Sequence, residues 1–311
     1  MYVLYVEDQT ALATQSQLFD LHMEPLLQKC DAALQAGTVP ASIPEIPQYL
    51  QVCRWPFRRL EYAFALDALI SYLGPGQSFL DAGSGATPLA HAIAAQGVAA
   101  SACDGDARLI DELRRLRPET IYGTKVSYSA QDLTRTSYPD DSFDAIACIS
   151  VLEHIPAPAD QQALHELLRI LKPGGLLVLT VDFTPPTERA SGTRTNYLLR
   201  RSLAFTRAGD LGGLVQGVRR KLTARLAVLG GQARRPRSAN QCFEVEHLKW
   251  DLTVGSRGTE MTSRLAFPMD LEAVTTAHAR RFWELTPGLF ANQGHRYVLP
   301  AAQIVRKTVT I

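Results

Sequence analysis

Phe79-Leu80-Asp81-Ala82-Gly83-Ser84-Gly85-Ala86-Thr87-Pro88-Leu89-Ala90 is the stretch that decides the fold. A short apolar run ends at an acid and breaks into a glycine turn. It then resumes at helical spacing, with Pro88 suited to a first helical turn and Gly97 to a C-cap. Glycines in a strand–turn–helix unit let the backbone approach a ligand closely, and the helix N-terminus leaves N–H groups free to meet it. A second acid, Asp104, ends the next apolar run nineteen residues after Gly85, where a carboxylate can accept from ribose hydroxyls.

Outward from this unit, apolar runs and helical segments alternate. Residues 98–103 are small and apolar, 106–116 read as a charged helix closed by Pro118, and 126–129 alternate briefly. Residues 143–150, apolar apart from Asp144 and Ser150, read as a strand buried on both faces. Residues 159–171 read as helix, Lys172-Pro173-Gly174-Gly175 as a turn, and 176–181 as a further buried strand. Such alternation implies a parallel sheet with right-handed crossovers. Upstream, 12–34 and 56–73 are helical in period around a proline-broken connector at 39–47, and Gly74-Pro75-Gly76 ends the second helix. After Asp182 two helical stretches, 197–205 and 214–229, are separated by Gly209, Gly212 and Gly213. A strand near 243–254, a helix at 271–285 and a last strand near 297–305 follow, with the position of the first of these in the sheet left open.

Composition sets the remaining bounds. At 46% apolar and 20% charged residues the chain is globular, which excludes disorder as its general state. No apolar run reaches the ~18 residues of a membrane span, and the start lacks a signal peptide's basic and apolar regions. The five cysteines are scattered, without CxxC or His-rich spacing, so neither a disulfide framework nor a metal site is expected. A reduced, cytoplasmic protein is the expectation. The net charge of +1 hides an asymmetry: residues 189–237 hold twelve Arg or Lys against one acid, Asp210.

For the glycine turn the main rival ligand is a nicotinamide dinucleotide, whose fingerprint is GxGxxG facing a pyrophosphate. Here Pro88 holds the third glycine position, and Asp81 would repel a phosphate. Negative charge suits a ligand with ammonium and sulfonium groups, which favours S-adenosylmethionine.

At this point a resemblance becomes specific. Residues 79–90 look like the glycine-rich motif of class I S-adenosylmethionine-dependent methyltransferases, and three downstream segments agree in order. Asp132-Leu133 resembles the adenine-contacting acid and its neighbour. Residues 137–155 resemble the fourth-strand segment of the small-molecule branch, and 165–180 the fifth-strand motif. The match spans about a third of the chain, and Thr87 departs from it where many relatives have a third glycine. The resemblance implies that Asp81, Gly83, Ser84 and Gly85 line the methionine side of the cofactor. It places Asp104 on the ribose with Gly105 beneath the adenosine, and Asp132 and Leu133 at the adenine. Ile149 and Ser150 would face the sulfonium.

The implied architecture is α/β, Rossmann-like, with a seven-stranded, mostly parallel sheet and helices on both faces. A helical cap (residues 1–75) precedes the cofactor-binding core (76–182). A basic helical insertion (183–240) follows the fifth strand, and 241–311 complete the sheet. The implied reaction is methylation of a small molecule, at oxygen by preference, with the basic insertion favouring an anionic, sugar or lipid-linked acceptor. His154 is the candidate general base, although the Glu153-His154 pair also recurs in such proteins where the acceptors differ. His247 is a second candidate, and Arg58, Arg59 or Tyr62 are candidates for the cofactor's carboxylate. Three readings of 189–237 stay open: an acceptor lid, a membrane-surface helix pair, and a nucleic-acid grip. Residues 214–237 contain no aromatic to stack on bases, which weighs against the last. A non-catalytic protein that binds the same cofactor is the remaining alternative. The oligomeric state is not readable.

Overall fold

The computed structural model describes residues 2–38, 45–156, 158–183, 268–270, 276–285 and 299–307. The expected insertion helices, the strand near 243–254, and His247 lie outside the described residues.

The chain enters the fold through a three-residue strand, β1 (Tyr2–Leu4). Five helices follow: α1 (Gln9–Gln15), α2 (Gln17–His22), α3 (Glu24–Gln35), α4 (Glu45–Cys53) and α5 (Pro56–Tyr72). The apolar spacing over 12–34 predicts one helix, but the backbone breaks at Ser16 and Met23 into three. Buried Ser16 turns its hydroxyl back onto the Leu12 carbonyl (2.7 Å), a local bond that competes with helix continuation.

The alternating part then runs β2 (Ser78–Ala82), α6 (Leu89–Ala94), β3 (Ala99–Asp104), α7 (Ala107–Leu116), α8 (Pro118–Tyr122) and β4 (Val126–Ala130). The chain then crosses to β5 (Phe143–Ile149), a 3-10 turn (Leu152–His154), α9 (Ala159–Ile170) and β6 (Leu171–Phe183). β7 (Pro268–Asp270), α10 (Thr276–Glu284) and β8 (Leu299–Arg306) complete the described elements.

The sheet order is β4-β3-β2-β5-β6-β8-β1-β7. β4 through β6 pair in parallel, and β8 joins β6 antiparallel. These six strands form the body of an α/β, Rossmann-like sheet. Short β1 and β7 extend it antiparallel to eight among the described residues, against the seven expected. Three residues are too few to show a period, so the sequence reads the N-terminal part as largely helical with loops.

Lys172-Pro173-Gly174-Gly175 is also reinterpreted. Instead of ending a helix before a new strand, it forms a bulge inside β6, whose pairing jumps from Phe143↔Leu171 to Ala145↔Leu176. Gly174 has φ +77°, and a Cβ at Gly175 would meet the carbonyl oxygens of Lys172 and Asp144 at 2.7 and 2.9 Å. Only glycine fits there.

Phe64, Leu66, Leu69, Phe79, Leu80, Ile146 and Leu177 are fully buried and join α5 to the central strands. The loop that carries the chain from β4 to β5 is tied down by α9. Glu166 accepts from the Thr136 amide and hydroxyl (both 2.7 Å) and from Arg169 (2.6 Å). The Arg169 guanidinium, helped by Thr136 and opposed by partial burial, holds the Glu166 carboxyl down at about 2. An unfolded glutamate titrates near 4.5, so the tie is complete above that pH and is lost as pH falls toward 2. Urea denaturation across this range tests it. Glu166→Gln should cost about 1–3 kcal/mol at pH 7 and flatten the acid-side slope.

Candidate functional site

The turn after β2 is built by hydrogen bonds to the neighbouring strand. The Gly83 and Ser84 amides donate to the Cys103 carbonyl (2.8 and 2.9 Å), and the Gly85 amide donates to Asp104 Oδ2 (3.0 Å). The other Asp104 oxygen accepts from the Asp106 amide (2.9 Å). Asp106 in turn caps α7 by accepting from the Arg108 and Leu109 amides. Gly83 and Gly85 both have positive φ, and a Cβ on either would come within 2.5 Å of a side chain, Val151 at the first and Tyr49 at the second. The glycines therefore serve close approach as well as turn geometry.

In front of this turn lies a cleft of about 1000 Å³. Asp81, Gly83, Ser84, Gly85, Asp104, Gly105, Asp132, Leu133, Ile149, Ser150 and His154 all line it, so the residues singled out from the sequence meet in one cavity. Asp132 is folded into a local turn, its Oδ1 accepting from the Thr134 amide (2.9 Å) and hydroxyl (2.8 Å). Of the cap candidates, Arg58 and Tyr62 line the cleft. Arg59 does not: it turns away to Asp20 (2.7 Å) and Ser16 (3.2 Å).

Further lining residues come from segments that sequence reasoning passed over. Tyr49, Val52 and Cys53 of α4 reach the cleft, as do Val151 and Thr134. The spacing of Tyr49, Val52 and Cys53 (i, i+3, i+4) puts them on one helix face, and this was the available signal.

Charge at the site is concentrated in buried groups. Asp81 is nearly inaccessible and its Oδ2 has no hydrogen-bond partner. Burial first, and then the Asp104 charge, push its carboxyl up to about 8. Behind the other wall, Glu61 of α5 accepts from Arg58 (2.5 Å) and from the Ser150 hydroxyl (2.7 Å). Asp182 lies 3.8 Å from Arg58, and its amide donates to Glu153 Oε1 (3.2 Å). Burial pushes the Glu153 carboxyl well up, and the Asp182 charge adds to this. Ser150, with φ +52°, is held by its amide, which donates to the Thr180 carbonyl (2.9 Å) and hydroxyl (3.1 Å). Burial lowers the His154 pKa, with Asp182 opposing, so the ring favours the neutral form that can accept a proton.

A cavity wall with an unpartnered carboxylate beside a close-approach glycine turn fits an organic cation. The residues thus fit the ammonium end of S-adenosylmethionine, and Asp104 and Asp132 offer acceptors for its sugar and base. Among the described residues no group of three or more His, Cys, Asp or Glu could hold a metal ion.

Asp81 makes a testable demand on stability. Its folded pKa near 8 lies above the ordinary 3.8, so the folded state binds the extra proton. The contribution is full below about pH 4, falls as pH rises, and is gone above about pH 8. Asp81→Asn keeps the shape without the ionisation. The ligand-free variant should exceed wild type by about 1–3 kcal/mol at pH 8.5 and match it near pH 4, as read by urea denaturation.

Comparisons with known proteins bear on the same segment. Residues 80–179 match the family model described as a methyltransferase domain. A demethylmenaquinone methyltransferase from Beutenbergia cavernae is 35% identical over 129 residues, covering 41% of this chain and 49% of that protein. A ubiquinone biosynthesis O-methyltransferase from Xanthomonas campestris pv. campestris is 32% identical over 144 residues, 46% of this chain and 56% of that one. The chain thus spans about half the length of the curated relatives it matches. A solved S-adenosylmethionine-dependent methyltransferase from Methanosarcina mazei aligns at 17% identity over 78% of this chain and 98% of that one, with a TM-score of 0.44. The family match falls on the strands, turn and helices that build the cleft, so it is this part of the chain that is similar to a methyltransferase domain.

Proposed function

We propose that the chain transfers a methyl group from S-adenosylmethionine to a small-molecule acceptor, preferentially at oxygen. The observation that carries this reading is Asp81: a buried carboxylate oxygen without a partner, beside a glycine turn, in the cleft that also gathers Asp104 and Asp132. Bound there, the cofactor supplies a methyl group already activated by positive sulfur.

The chain's own residues then have three tasks. Asp81 takes the ammonium group. Asp104 takes the ribose hydroxyls, with Gly105 beneath the adenosine, and Asp132 and Leu133 hold the adenine. Gly83, Ser84 and Gly85 bring the backbone against the methionine side, and Ile149 and Ser150 border the reacting centre. Orientation of this kind can lower a barrier by about 7–11 kcal/mol. His154, which lines the same cleft and is shifted toward its neutral form, accepts the proton of an acceptor hydroxyl.

Relatives named for demethylmenaquinone and ubiquinone biosynthesis support an acceptor of quinone-precursor type. An aromatic ring with a hydroxyl fits a wall of Val151, Ile155 and Tyr49. An anionic or lipid-linked acceptor, and membrane contact through 189–237, are the finer part of the proposal and rest on the positive charge of that segment alone. A nucleic-acid substrate and a cofactor-binding role without turnover are the competing readings.

Calorimetric titration with S-adenosylhomocysteine tests the proposal at its base. Wild type should bind in the micromolar range. Asp104→Ala, which removes the acceptor for ribose and for the Gly85 amide, should weaken binding at least about tenfold. A folded wild type that does not bind would overturn the cofactor assignment. Incubation with hydroxylated quinone precursors then separates turnover from binding alone.

A further inference from the structure

We propose that Glu61 is a positioning residue for the amino-acid tail of the cofactor, acting through Arg58; the inference rests on the cofactor reading above. Glu61 lies mid-helix in α5, between Leu60 and Tyr62, and is fully buried. A charge removed so completely from water destabilises a fold unless it is paired, and nothing in the helix itself requires a carboxylate at that position.

The pairing is specific. Glu61 Oε2 accepts from Arg58 Nη1 at 2.5 Å, and Oε1 accepts from the Ser150 hydroxyl at 2.7 Å. Arg58 Nη1 also donates to Ser150 Oγ, which closes a ring of three side chains. Asp182 Oδ1 approaches the same Nη1 at 3.8 Å. Among the described residues, every hydrogen bond and ion pair of Arg58 therefore uses one corner of its guanidinium. Five N–H donors belong to that group. Arg58 lines the cleft together with Asp81 and Tyr62, which leaves its other guanidinium donors for a ligand there. Held by one corner and braced against the Phe57 ring at 4.8 Å, it has the planar geometry that receives a carboxylate through two parallel bonds.

The surrounding charge decides which carboxylate. Glu61, Glu153 and Asp182 face the one guanidinium, and Asp81 lines the same cleft. A plain anion entering here would leave the buried Asp81 oxygen without a donor. A zwitterion would not bring net charge: its ammonium turns to Asp81 and its carboxylate to Arg58. The site is thus built to recognise an α-amino acid tail rather than a phosphate or a simple acid. Glu61 keeps the fork aimed, and through the Ser150 hydroxyl it also holds the left-handed residue that follows β5.

The test compares two ligands that share a nucleoside and differ in the tail: S-adenosylhomocysteine, and methylthioadenosine, which lacks the amino acid. Full-length wild type should bind the first more tightly. Glu61→Gln retains size and an acceptor for Ser150 but loses the second oxygen, which accepts from Arg58. It should weaken S-adenosylhomocysteine about 10- to 100-fold and leave methylthioadenosine within about twofold. A merely structural role would weaken both ligands alike, and that result, or unchanged binding of both, would overturn the proposal. Arg58→Lys, which keeps the charge and loses the fork, should show the same split and serves as the readout should Glu61→Gln not fold. Wild type that binds both ligands equally would overturn the tail site while leaving the nucleoside site standing. Wild type that binds neither would remove the cofactor reading itself.

Discussion

Three backbone N–H groups that leave the end of β2 and attach to the end of β3 hold the site together. Gly83 and Ser84 donate to the Cys103 carbonyl, and Gly85 donates to the Asp104 carboxylate. This hook can form only if the chain turns with positive φ at both glycines and passes within reach of Val151 and Tyr49. It fixes Asp81 and Asp104 relative to each other, and their mutual repulsion is part of what keeps Asp81 reluctant to ionise. Asp104 is thereby both a structural acceptor and a cleft-lining group, with lone pairs left on each oxygen for hydroxyl donors.

The second constraint is electrostatic. Glu61, Glu153 and Asp182 are buried around a single guanidinium, and burial pushes both glutamates toward their neutral forms. Apolar residues of similar volume would stabilise such a position more readily than a half-satisfied polar cluster. Oxygens without hydrogen bonds persist at Glu153 and Asp182. Buried polar groups kept at this cost are concentrated behind Arg58, Ser150 and His154, which line the cleft. The stability sacrificed lies where the proposed chemistry needs fixed geometry.

The sequence exposes part of this design and conceals the rest for identifiable reasons. The strand–glycine–helix unit and the apolar run of β5 are legible because each has a local signature: positive-φ glycines, and burial on both faces. The gathering of Asp81, Asp104, Asp132 and His154 in one cleft follows from the order of those units. The Glu61–Arg58–Ser150 ring does not. A carboxylate and an arginine three residues apart on an amphipathic helix read as a solvated pair, and only the packing of α5 on β5 and β6 buries them. The bulge in β6 is similar. Gly174 and Gly175 read as a chain reversal, yet the Gly174 amide donates to the Lys307 carbonyl (2.9 Å) and the Lys307 amide to the Gly175 carbonyl (3.1 Å), so pairing continues. A local pattern cannot reveal a partner 133 residues away.

Topology explains how one cleft could serve both roles in the proposed reading without conflict. From β2 the chain builds outward through β3 and β4, then crosses back to lay β5 and β6 on the opposite side. The loops that leave β2 and β5 therefore diverge, and a crevice opens between them, the usual ligand site of an open α/β sheet. Asp104, Gly105, Asp132 and Leu133 belong to the β3–β4 side, whereas Ile149, Ser150, Val151 and His154 belong to the β5 side. In the proposed reading the nucleoside is gripped by one half of the sheet and the acceptor is presented by the other. The two halves meet at Asp81 and the glycine turn. Changes that alter acceptor choice can then accumulate around β5, β6 and the α4–α5 cap, while the nucleoside half keeps the geometry that its hook to β3 imposes.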